Sequence, residues 1–424
     1  MTEEDRPMKF AILATGTRGD IQPFVALAQG FSAAGHEAVL AAPRAFESFV
    51  RSYGVDFFPM GSDFTALLES PEGKAALREN PIKTMQAVRQ TVIPMMRRML
   101  DDAWAAVQGA DAIIYHPKAL AGVHLAERLR VPCFIGAPVP VVVPTATFPA
   151  PAFVSRDLGG FLNRLTYAAV RSGTRPFRKM IDAWRREVLG LGPRREDEFT
   201  QGGQPVPVLH AFSRHVVPPP ADWPPEAVVT GYWFARRVQV WHPPEALSAF
   251  LEAGPPPVYV GFGSVAGLDR DEGTRMALEA LSQAGVRGIL ATGSGDGPRL
   301  LSPDVLAIPE APHDWLFPRV AAVVHHGGAG TVAPGLAAGK PTLVCPATTD
   351  QPFWGRVVHQ LGVGPAPIPR RQLTAERLAE AVRAATGDPE MQRRAAALGE
   401  AIRAEDGVAQ AVAEILRRVG ALAG

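Results

Sequence analysis

Two series of short apolar runs, each run followed by an amphipathic stretch, constrain this chain more than any other feature. In the first half the runs fall at Lys9–Thr15, His36–Ala42, Val55–Pro59, Ala110–Tyr115 and Pro132–Gly136. Helical stretches at Ile21–Ala34 and Ala119–Leu129 lie between them. A continuous apolar run reads as a central parallel strand, buried on both faces. Strand alternating with helix predicts a doubly wound parallel α/β sheet. Longer helical stretches near Pro81–Val107 and Phe161–Leu189 interrupt the pattern. The alternation restarts at Val258–Phe262, Gly288–Thr292, Val305–Ile308, Val320–His325 and Thr342–Cys345, and a helical Arg370–Leu422 follows.

Proline clusters at 218–220, 224–225, 243–244 and 255–257 separate the two series. They predict an N-terminal Rossmann-like domain over 1–220, a linker over 221–250 and a second Rossmann-like domain over 251–424. The last helix is free to pack back on the first domain. A chain of 424 residues suits two such domains. Open α/β sheets bind ligands beyond the carboxyl ends of their strands, so the chemistry belongs in the cleft between the sheets.

A formal charge of +1 offers no broad basic surface to nucleic acid. Arg97-Arg98, Arg171–Arg186 and Arg194-Arg195 read as solvated helix faces, and contact with an anionic membrane surface could only be peripheral. Pro132–Val154 carries no charge and is long enough to cross a bilayer, but six prolines oppose a helix. The reading is a strand followed by an extended loop, a candidate wall for an apolar acceptor. Cys133 and Cys345 sit in apolar runs and read as buried thiols, and Met1–Asp5 lacks a signal-peptide core. A cytoplasmic protein is the expectation.

The sharpest motif is His325-His326-Gly327-Gly328-Ala329-Gly330-Thr331, where a strand enters a glycine turn that opens a helix. Unpaired amides and the positive dipole end at such a helix start suit a diphosphate. A plain tight turn is the alternative, and Asp350-Gln351 downstream favours the ligand. The stretch 312–364 resembles the donor-binding signature of family 1 glycosyltransferases, with likeness to sterol glucosyltransferases and bacterial enzymes that glycosylate antibiotic aglycones. Residues 15–23 (TGTRGDIQP) resemble their N-terminal loop, and 258–264 (VYVGFGS) the first strand of their second domain.

The resemblance implies the GT-B architecture, two tandem Rossmann-like domains around a cleft, and a nucleotide diphosphate sugar as donor substrate, with no cofactor and no metal. It implies donor contacts from Ser264, His326, Gly328, Ala329, Gly330 and Thr331, and sugar contacts from Asp350 and Gln351. Pro312–Trp315 corresponds to the nucleoside region; where many relatives carry tryptophan, this chain has Glu310. Asp20 matches the general base of the bacterial enzymes. By itself an aspartate there is equally placed to cap a helix, but a carboxylate ionised at pH 7 suits a base. Thr17 and Arg18, in the same turn, are placed to help bind the donor's diphosphate.

His116 ends a strand and should face the same cleft, either paired with Asp20 or lining the acceptor pocket. Asp269-Arg270-Asp271 has the spacing of a metal motif but opens a helix, where acids favour the dipole. Gly293–Gly297 reads as a loop. The expected activity is inverting transfer of a hexose, from UDP-glucose or a dTDP-sugar, to a hydroxyl of a sterol or natural-product aglycone. The rivals are a GT-B-like sugar-nucleotide-binding protein, an epimerase or a phosphorylase. A dinucleotide oxidoreductase is the weakest, since no GxGxxG follows the first strand.

Overall fold

The computed structural model describes residues 6–61, 88–151, 154, 156–262, 270–293, 295 and 297–423. The first domain runs β1 (Lys9–Leu13), α1 (Arg18–Ala33), β2 (Glu37–Pro43), α2 (Glu47–Ser52) and β3 (Asp56–Met60). It continues with α3 (Ile93–Ala106), β4 (Ala112–Tyr115), α4 (Gly122–Leu129), β5 (Cys133–Ala137), α5 (Gly160–Ser172) and α6 (Arg178–Trp184). A small hairpin, β6 (Thr200–Gln201) and β7 (Gln204–Pro205), precedes β8 (Val208–His210) and β9 (Ala227–Val229). The main sheet has the order β3-β2-β1-β4-β5-β8-β9 and all its pairings are parallel.

The second domain opens with α7 (Glu245–Glu252), β10 (Val258–Gly261), α8 (Arg270–Ala284), β11 (Gly288–Ala291), β12 (Arg299–Ser302) and β13 (Val305–Ile308). Then come α9 (His313–Leu316), β14 (Ala322–His325), α10 (Ala329–Ala337), β15 (Thr342–Val344) and α11 (Gln351–Gln360). Helices α12 (Ala375–Gly387), α13 (Pro389–Ala404) and α14 (Gly407–Ala423) complete it. Its sheet has the order β12-β13-β11-β10-β14-β15, parallel except for β12. The chain is thus an α/β protein with two doubly wound sheets.

In each sheet the strand order reverses once, between β1 and β4 and between β10 and β14. Loops leaving neighbouring strands at such a point diverge to opposite faces and leave a crevice. Both crevices receive the residues of interest: Thr17–Asp20 and His116 in one, His326–Thr331 in the other.

The stretch 221–250 is not all linker. Ala227–Val229 adds β9 to the first sheet, and Trp233 is buried in that domain's core. Helix α7 buries Leu247 and Phe250 against the second domain. Both elements are too short to show a period amid prolines. Helix α1 begins at Arg18, three residues before the apolar period of its sequence, because Thr17 and Asp20 close its first turn. The stretch 161–189 breaks near Gly173 into α5 and α6. Residues 81–87 and Asp269 lie outside the described residues.

The last helix crosses back. Ala411, Val412, Ile415 and Val419 of α14 are buried in the first domain's core with Phe24, Leu27 and Phe31 of α1. A Cβ on Gly30 would collide with Val408 Cγ1, so Gly30 sets the approach of the two helices. Each buried valine or isoleucine there contributes about 1.5–3 kcal/mol. A second shared core joins Phe212 and Tyr232 to Val332, Phe353 and Trp354. Within Pro132–Val154, Val142, Val143 and Ala150 are core, while Phe148 lies 5.3 Å from Phe353 of α11, ring to ring.

Candidate active site

Thr17 takes extended backbone angles and starts α1. Asp20 sits three residues on, and its Oδ2 accepts the Thr17 N–H at 2.7 Å and the Thr17 hydroxyl at 3.0 Å. Asp20 is therefore inside the first turn, as the acidic half of a capping box with Thr17 as the cap. Its other oxygen faces the cleft. Oδ1 lies 2.9 Å from Lys118 Nζ and 3.3 Å from His116 Nε2.

His116 follows β4, and its N–H donates to the Leu13 carbonyl at 2.8 Å, which extends the β1–β4 ladder by one rung. Its Nδ1 accepts the Lys118 N–H at 3.1 Å. An acceptor at Nδ1 leaves the ring proton on Nε2, so a neutral His116 donates to Asp20. Burial lowers the His116 pKa and outweighs the raising effect of Asp20, which favours that neutral form. For Asp20, burial opposes ionisation, but His116 and then Lys118 outweigh it and hold the carboxyl well below the usual range. The carboxylate is charged at all physiological pH.

Lys118 had no motif to mark it. Its one signal was position, two residues past His116 on a loop leaving a switch-point strand.

On the opposite wall, β14 delivers His325, Gly327 turns with φ +96°, and Gly328 precedes α10 with no capping side chain. No acid stands in the first turn of α10. A Cβ on Gly328 would meet His326 Nε2 at 2.6 Å, so this glycine makes room for the imidazole. The His326 ring bonds the Gly261 backbone, while its Nδ1 is buried without a partner. Burial outweighs the Gly261 bond and lowers its pKa.

His313, within the Pro312–Trp315 stretch, stacks on Phe317 at 4.3 Å. Burial, then Arg18, His326 and Arg237, push its pKa down to about 4. Trp315 packs against Trp241 with ring centroids 5.0 Å apart, as part of the same cluster.

The two walls touch. A Cβ on Gly330 would lie 2.9 Å from Gly19 Cα, so the starts of α1 and α10 meet nose to nose. Arg18 bridges the domains with a 3.0 Å ion pair to Glu310, and its guanidinium lies 4.6 Å from the Phe49 ring centroid.

Asp350 precedes α11 but does not cap it. Its Oδ2 accepts the Trp354 indole N–H at 2.9 Å and its Oδ1 the Thr349 hydroxyl at 3.0 Å. Burial raises its pKa, the Thr349 and Trp354 bonds oppose this, and the Asp20 charge across the cleft raises it further. Gln351 Oε1 accepts the Ala347 and Thr348 N–H groups at 2.8 and 3.2 Å and fixes the loop in front of Asp350. Asp20, His116, His326, Gly328–Thr331 and Asp350 thus line one cleft. Ser264 lies outside the described residues.

Residues 10–147 match the glycosyltransferase family 28 N-terminal domain, and residues 285–419 match the erythromycin biosynthesis protein CIII-like C-terminal domain. The chain is 38% identical over 429 residues to a sterol 3-beta-glucosyltransferase of Emericella nidulans, a match covering 97% of this chain and 30% of that protein. It is 37% identical over 420 residues to a sterol 3-beta-glucosyltransferase of Arabidopsis thaliana, covering 96% of this chain and 65% of that one. The chain therefore spans less than two thirds of the length of these relatives. The solved kitacinnamycin glycotransferase shares the fold with a TM-score of 0.72 at 23% identity, covering 97% of this chain and 99% of that one. The chain thus has the two-domain GT-B fold, and each of its halves matches one of these two domain families. Among the described residues no helix is long and apolar enough to cross a membrane.

Proposed function

We propose that this protein is an inverting glycosyltransferase that moves a hexose from a nucleotide diphosphate sugar to a hydroxyl of an apolar acceptor. One observation carries the reading: a charged Asp20, held by His116, stands across the cleft from a helix start that bears no carboxylate of its own. Asp20 takes the proton of the acceptor hydroxyl as its oxygen attacks the anomeric carbon. The new C–O bond forms on the face opposite the departing diphosphate, whose C–O bond breaks, and the configuration inverts. The amides of Ala329 and Gly330, the Thr331 hydroxyl, His326 and Arg18 stabilise the leaving charge. Thr17 serves by holding Asp20. Asp350 and Gln351 orient the sugar, and Ser264 completes the diphosphate site.

Amides and basic groups take the role a divalent ion would otherwise fill, so no metal and no cofactor is required. The acceptor class is a sterol, supported by the names of the two curated relatives, with a polyketide-like aglycone as the alternative, and UDP-glucose is the donor. The two free, buried thiols fit a reducing compartment, the cytoplasm.

The test is binding and slow hydrolysis of UDP-glucose and dTDP-glucose without acceptor, for wild type and Asp20→Ala. The reading expects one donor to bind and hydrolyse, with Asp20→Ala binding it equally but turning it over far less. Loss of binding together with turnover would make Asp20 a structural cap. Binding of neither donor removes the donor-site argument, and binding without turnover by wild type favours a sugar-nucleotide-binding protein.

A further inference from the structure

Helix α5 keeps Tyr167 and Val170 against the domain but leaves a larger apolar stripe on its outer side. An amphipathic helix on a water-soluble domain faces its apolar stripe inward. In α5 the inward face carries Asn163, 1% exposed, and Tyr167, fully buried. Asn163 Nδ2 donates to the Ala146 carbonyl at 2.9 Å and to Asp157 Oδ1 at 2.7 Å, and its Oδ1 accepts the Leu158 N–H at 3.0 Å. The Thr166 hydroxyl accepts the Ala150 N–H at 2.7 Å. These bonds tie the helix by its polar side to the loop after β5. The opposite side presents Phe161, Leu162 and Leu165, which are 80%, 47% and 57% exposed. Ala168 and Ala169 extend this stripe and are also exposed.

Cations frame the stripe. Arg164 and Arg171, partly exposed on the helix itself, pair with Asp222 and Asp197. Arg156 before the helix and Arg175 after it are exposed, with no carboxylate partner among the described residues. Apolar side chains flanked by arginines match an anionic bilayer surface, where rings and aliphatic chains enter the headgroup boundary and guanidinium groups meet lipid phosphates.

We propose that α5 docks this protein on an anionic lipid bilayer, with Phe161, Leu162 and Leu165 inserted and Arg156 and Arg175 on the headgroups. The purpose, though not the evidence, rests on the glycosyl-transfer reading: an apolar acceptor dissolves in a bilayer rather than in water, and the loop that α5 holds follows a strand whose carboxyl end faces the cleft.

The test is co-sedimentation of the full chain with phosphatidylcholine vesicles, with and without about one third phosphatidylglycerol. Wild type should bind the anionic vesicles, and high salt should weaken the binding. The pair Phe161→Asp and Leu165→Asp should weaken it about tenfold or more. Donor binding should be unchanged in that variant, which certifies its fold. If wild type fails to bind anionic vesicles, or the variant binds as well as wild type, the proposal falls. A concentration-dependent dimer in vesicle-free buffer, abolished by the same substitutions, overturns it in favour of contact between copies.

Should the paired variant misfold, a bimane label on Leu165→Cys decides the matter, because Cys133 and Cys345 are buried with thiol pKa values pushed up to about 12 by burial. Its emission should shift to the blue on anionic vesicles; an unchanged spectrum overturns the proposal. Absence of donor binding in wild type would sink the transfer reading and leave the vesicle result to decide docking alone.

Discussion

The helix after β1 and the helix after β14 share one construction and present opposite chemistry. Each leaves a strand at the switch point of its sheet and starts with a glycine that touches the other, Gly19 against Gly330. Four residues past that glycine each has a proline, Pro23 or Pro334, so the Gly19 and Gly330 carbonyls lack their usual helical donor. The first turns differ. In α1 the Asp20 carboxylate folds back on the Thr17 N–H, so this end already holds its anion. In α10 Gly328 stands at the cap with no side chain and no acid follows, so the amides and the dipole face the cleft open. A helix end that carries its own carboxylate offers a base, and a bare one offers a seat for someone else's charge.

The largest effect should come from neutralising the first end. Asp20→Asn keeps the shape of the cap but loses the base; turnover should fall about a hundred- to ten-thousand-fold with donor affinity nearly unchanged. Parallel initial-rate and calorimetric measurements would show it. Gly328→Asp copies the α1 arrangement onto α10. It places a carboxylate where the diphosphate belongs and drives the His326 ring from its place, so UDP affinity should drop about tenfold or more while the helix itself is better capped. Unchanged affinity by calorimetry would show that the bare end is not the donor seat.

Lys118→Met tests the other partner of Asp20. Asp20 is active when ionised, and its depressed pKa keeps it so until strongly acid pH. Removing Lys118 takes away one lowering influence, so activity should disappear at a higher pH as the solution is acidified, with little change near pH 7. A pH profile whose acid limb stays in place would remove Lys118 from the base's environment. The smallest effect belongs to Glu310→Gln. The Arg18–Glu310 pair is exposed at both ends, so its loss should change unfolding free energy by less than about 1 kcal/mol, read from denaturant melts. Releasing Arg18 should improve donor binding slightly.

Much of this arrangement was legible in the chain. Apolar runs such as Phe10–Leu13 and Ala322–Val324 are strands because every inward and outward position is apolar, and the glycine turn after His326 announced a helix start. The strands β8 and β9 were not legible: three residues among prolines carry no period, and only the pairing of β8 with β5 and of β9 with β8 makes them strands. Helix α5 reads as helical from its spacing, yet spacing cannot say which face turns inward. That choice was made by the bonds of Asn163 and Thr166 to the loop after β5 and by the packing of Tyr167 and Val170.

Local order is written in local sequence. The alternation of strand and helix, the Thr17–Asp20 cap and the glycines that admit His326 all follow from neighbours a few residues apart, where backbone sterics and short hydrogen bonds dominate. Which loops face each other is a different matter. Asp20 meets His116 and Lys118 because β1 and β4 lie side by side, Arg18 reaches Glu310 because the two sheets close on each other, and α14 returns to α1 because its apolar stripe finds its cover there. Those contacts join residues far apart in the chain. Burial of whole faces fixes them, and a single sequence records the faces but not the partner each one takes.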